Sequence, residues 1–188
     1  MIKIIIQYSQ ESNNYKTMKN ITRTTILAML FISLMVSCNK KHNYGNVDNM
    51  VNEAALTTNG IGVEQLMEKI DNGEMILLLD VREPNEYNAG YIPGAVNIPR
   101  GVLEFKISNE SFWEEAMLYM PLPDEEIIVY CRKGKRSILA AQTLQQLGYS
   151  NITYVTDGWK KWEMTYPLIQ EKNLDNLHHD DGAEVGGC

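Results

Sequence analysis

Between residues 61 and 168 the apolar positions fall into two kinds of run. In GVEQLMEKIDNG, Val63, Leu66, Met67 and Ile70 recur at i, i+3, i+4 and i+7, which puts four apolar side chains on one helical face before Gly73 ends the segment. The next run, MILLLDV, is apolar without alternation. A strand apolar on both sides is what a parallel sheet covered by helices requires. Three further strands are predicted, at Ala95–Ile98, Glu126–Tyr130 (EIIVY) and Ile152–Thr156 (ITYVT). Helical patterns lie between them at Ser111–Tyr119 and Ser137–Leu147; the second carries Ile138, Ala141, Leu144 and Leu147 on one stripe, with Gly148 as its cap. The order predicts an α/β fold, an open and mainly parallel sheet with helices on both faces.

The flanks follow different rules. Residues 39–59 sustain no period of 2 or 3.6 and read as a linker over 38–60, ahead of a domain at 61–168; the acidic, Gly-containing end reads as a flexible tail over 169–188. Near the amino terminus, ILAMLFISLMV at 26–36 follows Lys19 and Arg23, with no acidic residue between Met18 and Cys38. That is the basic and apolar order of a signal peptide, and 11 residues are too few for a membrane-spanning helix, which needs about 20. The segment ends in Met35-Val36-Ser37-Cys38, which resembles the lipobox of bacterial lipoproteins, with Met35 where leucine is usual. The resemblance implies a signal peptide over 1–37, acylation of Cys38, and a protein of the bacterial cell envelope, lipid-anchored outside the cytoplasm, on the periplasmic side. An uncleaved anchor, or a secretory peptide with an incidental cysteine, is the alternative. Met18 is a second candidate start, because the signal pattern begins at MKN.

Composition narrows the function. The chain of 188 residues has 17 Lys plus Arg against 24 Asp plus Glu, a net charge of −7, which gives no support to nucleic acid as a partner. Cleavage before Cys38 would leave 13 basic and 23 acidic residues (17 − 4 and 24 − 1). The three cysteines lack zinc-ligand spacing, and His178, His179, Asp180 and Asp181 form a run too weakly patterned to assign a metal; neither metal nor cofactor is expected. Trp113, Trp159, Trp162, Tyr119 and Tyr130 are expected in the core or lining a groove, with Trp113 a candidate for a pocket mouth.

Cys131 directly follows EIIVY and begins CRKGKRS, which leads into the helix near Ser137. In open parallel sheets ligands collect at the carboxyl ends of strands. Arg132, Lys133, Lys135 and Arg136 crowd four cations into five positions. Such a run is usually a solvated surface, but beside a cysteine, cations and a helix amino end favour thiolate over thiol. Gly134 lets the backbone fold tightly, turning successive N–H groups inward as a nest for an anion.

CRKGKRS resembles the active-site loop of the rhodanese superfamily, Cys-x-x-Gly-x-Arg followed by Ser, and LLDVREPNEYNAGYIPGAVNIP resembles its amino-terminal signature, about 50 residues earlier. DGWKKW at 157–162 is similar to the Gly-Gly-x-x-x-Trp segment near the family's carboxyl end, with Asp157 in place of the first glycine and Tyr91 where many members have His. The resemblance implies a sulfurtransferase in which Cys131 takes sulfur from a small anionic donor such as thiosulfate, as a persulfide, and passes it to a thiol or protein acceptor. Lys135 and Arg136 would hold the donor's oxygens, Arg132 and Lys133 would add field, and the N–H groups from Arg132 to Ser137, with Gly134 among them, would stabilise the persulfide. Asp80 and Arg82 are expected to be structural neighbours of the site. Two other readings remain: a sulfur or redox relay module for a protein partner, with Cys188 either a resolving thiol or without a role, and a Cys-dependent phosphatase or arsenate reductase. The latter families use Cys-x5-Arg, which would require arginine at the position of Ser137.

Overall fold

The computed structural model describes residues 43–174, with Met18 and Asn176. Cys38, Cys188, His178, His179, Asp180 and Asp181 lie outside the described residues, and with them the expected signal peptide and lipid site. In chain order the elements are α1 (Val47–Ala55), β1 (Asn59–Ile61), α2 (Val63–Asp71), β2 (Leu77–Asp80), α3 (Pro84–Asn88), β3 (Val96–Asn97), a 3-10 turn at Arg100–Val102, α4 (Leu103–Lys106), α5 (Glu110–Glu115), β4 (Ile127–Tyr130), α6 (Lys135–Gln146), β5 (Ile152–Val155) and α7 (Gly158–Thr165).

The five strands form one sheet in the order β1-β5-β4-β2-β3, and all four pairings are parallel. Two apolar layers cover it, because a strand sends successive side chains to opposite faces. Ile127, Val129 and Cys131 join one layer with Leu103, Trp113, Ala140, Ala141 and Leu144. Ile128 and Tyr130 join the other, with Leu66, Trp159 and Trp162. The unbroken apolar runs noted in the sequence are the two layers read alternately. Trp113 belongs to the core, where it is buried and its indole N–H donates to the Ile107 carbonyl at 2.9 Å, and it also borders a cavity with Met117, Leu118 and Tyr119.

Three boundaries differ from the sequence reading. The expected linker holds an element of the domain, α1, whose buried Val51 and Ala54 lie on the side that packs against α6. Val47, Met50, Val51 and Ala54 do recur at helical spacing, but Asn46, Asn49 and Asn52 dilute the pattern with turn-forming residues. Asn46 instead works as the N-cap, accepting from the Asn49 N–H at 2.8 Å. The same segment supplies β1, an edge strand too exposed to show a pattern. At the other end the chain stays on the domain past residue 168: Tyr91 and Glu171 exchange backbone hydrogen bonds of 2.9 and 3.0 Å, and the Asn173 N–H donates to Asn88 O at 3.0 Å. Finally, α5 stops at Glu115, well short of Tyr119, as the chain turns through Met117 at φ 56°.

Candidate active site

Residues 131–134 connect the carboxyl end of β4, a central strand, to the amino end of α6. Parallel strands place this turn on the sheet edge where β2 and β5 also end. Cys131, the first residue after β4, is 2 % exposed. Gly134 makes the turn possible: it has φ 93°, which side-chain-bearing residues rarely adopt, and a Cβ there would lie 2.1 Å from the Thr156 carbonyl oxygen.

The loop is held from behind by the β5–α7 connection. Trp159 N–H donates to Cys131 O at 2.8 Å, and Lys160 N–H donates to Arg132 O at 3.0 Å. Gly158 lets them come this close, with φ 60° and no room for a Cβ, which would meet Cys131 O at 2.1 Å. Asp157, by contrast, has φ −99°, so the replacement of the family's first glycine leaves the turn intact. At the front of the loop, the first N–H groups of the twelve-residue α6 have no carbonyl partner within the helix. Ser137 is buried, and its hydroxyl donates to the Gly134 carbonyl at 2.8 Å, so its oxygen braces the turn.

The cations separate into two pairs. Arg136 makes a bidentate contact with Glu86, at 2.7 and 2.9 Å, and Lys135 Nζ lies 2.6 Å from Asp48 in α1. Each of the two cations expected to hold the donor thus has a carboxylate partner in the structure. The hydrogen bonds with Arg136 hold the Glu86 carboxyl below its ordinary value against the opposing effect of burial, and the same bonds raise the Arg136 guanidinium. Arg132 and Lys133 are exposed, without an ion pair among the described residues.

Asp80 and Arg82 sit at the end of β2 as a fully buried pair. Arg82 Nε donates to both Asp80 oxygens at 3.0 and 2.9 Å, its Nη2 donates to the Gly90 carbonyl at 2.7 Å, and its guanidinium lies over the Trp159 ring at 4.8 Å. Burial opposes the Arg82 charge, but the hydrogen bonds and field of Asp80 prevail and raise its pKa. Beneath it, burial pushes the Tyr130 phenol well above its ordinary value, and its oxygen accepts from the Ile92 N–H at 3.2 Å. The pair thereby joins β2, the Gly90 turn and the Trp159 clamp. Tyr91, at the position of the family's usual His, stacks on Tyr87 at 4.0 Å.

Three contributors escaped sequence reasoning. Glu86 and Asp48 are distant acids that only the fold brings to the loop, whereas Gly158 lay within DGWKKW and could have been singled out as a glycine at a strand-to-helix turn.

Residues 62–165 match the family model described as a rhodanese-like domain. The chain belongs to the rhodanese family. Among curated relatives, a protein of Schizosaccharomyces pombe named as a candidate mitochondrial thiosulfate sulfurtransferase is 36 % identical over 102 residues, covering 53 % of this chain and 72 % of its own length. A human thiosulfate:glutathione sulfurtransferase is 35 % identical over 88 residues, covering 45 % of this chain and 76 % of its own. Among solved structures, a human single-domain sulfurtransferase aligns with TM-score 0.53 at 30 % identity, covering 56 % of this chain and 95 % of that one. A Rhodopseudomonas palustris protein of unknown function, named as a candidate tyrosine phosphatase, aligns with TM-score 0.56 at 25 % identity, covering 68 % and 96 %. The protein is a rhodanese-type sulfurtransferase, an enzyme whose reaction needs a sulfur donor and an acceptor.

Two outcomes are expected for this rhodanese loop. Gly158→Ala displaces the Cys131 carbonyl, so activity falls about 100-fold, the scale of an ångström-sized misplacement at a reacting group, as steady-state assays would read. Glu86→Gln lowers stability at neutral pH. Because the folded-state pKa of Glu86 lies below its ordinary value, the stability it contributes is complete above about pH 4.5 and is lost as the pH falls through the lowered value, so the gap between wild type and variant closes in acid. Denaturant midpoints at pH 7 and pH 3 would check this.

Proposed function

We propose that the enzyme takes the sulfane sulfur of thiosulfate, or a donor like it, onto Cys131 and hands it to a thiophilic acceptor. The observation that carries this reading is the six-residue loop, Cys131 to Arg136, folded at a strand end around the left-handed Gly134. The Cys131 thiolate attacks the outer sulfur of the donor; the sulfur–sulfur bond of thiosulfate breaks with its electron pair leaving on sulfite. The persulfide remains on Cys131. An acceptor thiolate or cyanide then attacks the outer sulfur, the new bond forms, and the Cys131 thiolate leaves with the electron pair of the broken one. Neither step needs an external oxidant or a histidine base.

The charge pattern supports an anionic donor. Arg132 and Lys133 are exposed cations of the loop without an ion pair among the described residues, and the N–H groups at the start of α6 that have no carbonyl partner within the helix supply partial positive charge without carrying a proton to lose. Lys135 and Arg136 work mainly through Asp48 and Glu86, fixing the loop between α1 and α3. A phosphatase or arsenate reductase would close its loop one residue later, where Ser137 donates to Gly134 O and offers no guanidinium to an oxyanion. A relay role with a protein partner would use the same persulfide.

The proposal extends to location: Cys38 carries lipid and tethers the domain to the bacterial cell envelope, outside the cytoplasm on the periplasmic side, through the segment before α1. Its support is the order of basic, apolar and small residues ending at Cys38.

Incubation with thiosulfate is expected to add about 32 daltons to the intact protein, the mass of one covalently bound sulfur, and Cys131→Ser to abolish both that gain and thiocyanate formation from cyanide. Phenyl phosphate supplied in parallel is expected to remain unhydrolysed; turnover of it alone would reverse the assignment. For the tether, labelled palmitate is expected to enter the protein in a bacterial host and to be lost in Cys38→Ala, whereas a mature amino terminus retaining Ser37-Cys38 unmodified would refute the anchor.

A further inference from the structure

Two carboxylates meet the cations of the loop, and they come from different parts of the chain. Glu86 lies within residues 62–165, the span matched to rhodanese-like domains, whereas Asp48 lies outside it, in the first turn of α1. Packing along α6 fixes its position. Asp48 Oδ1 is 2.6 Å from Nζ of Lys135, the first residue of α6. Val51 and Ala54 are buried on the side of α1 that packs against α6. Just beyond α1, the Thr57 carbonyl accepts from Gln145 Nε2 at 3.3 Å. These two polar contacts join residues 87 and 88 positions apart, so α1 runs alongside α6 in the same direction and presents its amino end to the loop. A carboxylate in that first turn is favoured by the dipole of α1 as well.

This placement decides how much positive charge the loop shows. Of its cations Arg132, Lys133, Lys135 and Arg136, Glu86 offsets one and Asp48 a second. The Lys135–Asp48 pair is exposed and adds little to stability. Its charge still acts on a charged reactant, because the energy between a fixed charge and a donor scales with the donor's own charge. Removing one anion from the loop therefore strengthens its attraction for a dianion twice as much, in free energy, as for a monoanion. We propose that Asp48 is a specificity-determining residue, which narrows the loop's preference for doubly charged donors such as thiosulfate over singly charged carriers of the same sulfane sulfur. The inference rests on the donor chemistry proposed for Cys131 and names the feature that sets the donor's charge class. The bonds made and broken are the same for both classes. With a thiosulfonate, the Cys131 thiolate attacks the outer sulfur, the sulfur–sulfur bond breaks with its electron pair leaving on the sulfinate, and the persulfide remains on Cys131.

The test compares the full chain with its Asp48→Asn, Asp48→Lys and Asp48→Glu variants, using thiosulfate and methanethiosulfonate as donors and cyanide as acceptor. Each donor's kcat/KM is measured, since in a two-step transfer it reports the donor half-reaction alone. Dividing the thiosulfate value by the methanethiosulfonate value, protein by protein, removes the donors' intrinsic reactivities from the comparison. Loss of one exposed charge is expected to raise kcat/KM about twofold for the monoanion and about fourfold for the dianion, so the ratio in Asp48→Asn about doubles. In Asp48→Lys, where the charge changes by two, the ratio rises about fourfold, and Asp48→Glu keeps the wild-type ratio. Added salt should bring the variants' ratios back toward that of wild type. A residue that merely braced the loop would change both donors by one factor. A ratio that is unchanged or lowered in Asp48→Asn and Asp48→Lys overturns the specificity role, while a mass gain of the wild type on thiosulfate leaves the persulfide reading in place. A wild-type protein that gains mass on neither donor overturns both.

Discussion

Two backbone hydrogen bonds, from Trp159 and Lys160 to the carbonyls of Cys131 and Arg132, are the constraint on which the site depends. They tie the turn after one strand to the turn after its neighbour, so the loop's shape is set by parallel pairing of β4 with β5. Both turns need glycine, at Gly134 and Gly158, because in each the carbonyl of the opposing chain occupies the space of a Cβ. With its carbonyls held from behind, the loop has its remaining N–H groups available on the other side. Rigidity here costs nothing at the moment of reaction, since the dipoles are oriented before a ligand arrives.

The electrostatics follow a division of labour that charge counting alone conceals. Four cations close together in the chain do different work: two are paired with acids from α1 and α3, and two, beside Cys131, have no ion-pair partner among the described residues. Exposed pairs such as Lys135 with Asp48 contribute little stability by themselves. Their value lies in geometry, because they connect the loop to segments on either side of it. The buried Asp80–Arg82 pair belongs to the same frame, as its guanidinium lies against Trp159, whose N–H is one of the two clamps. Removing either partner would leave a charge in a dry interior, a loss of about 3 to 5 kcal/mol.

The parallel sheet and its two-sided cover were legible in the sequence because a short, unbroken apolar run such as MILLLDV leaves no polar face to turn toward water, and so must be covered on both sides. Cys131 stood out as a candidate nucleophile because a cysteine among cations at a strand end is chemically unusual. The remaining features depend on long-range contacts or on weak local signals. The helix at Val47–Ala55 hides a helical stripe among asparagines, and β1 is ordered by its neighbour rather than by its own residues. The pairing of Arg136 with Glu86 spans 50 positions, and that of Lys135 with Asp48 spans 87, so neither acid carries a local mark of its role. The extension of the domain through Glu171 likewise rests on backbone bonds to Tyr91, to which side-chain chemistry is nearly indifferent.

The alternation along β4 has a consequence for how the chain can change. Cys131 shares its parity with Ile127 and Val129, and its neighbours Tyr130 and Ile128 belong to the opposite layer. Gaining or losing a single residue within that strand would exchange odd for even and send the sulfur to the wrong side of the sheet. Length variation in relatives should therefore collect in the connecting segments, with the frame from Ile127 to Cys131 kept as an indivisible unit.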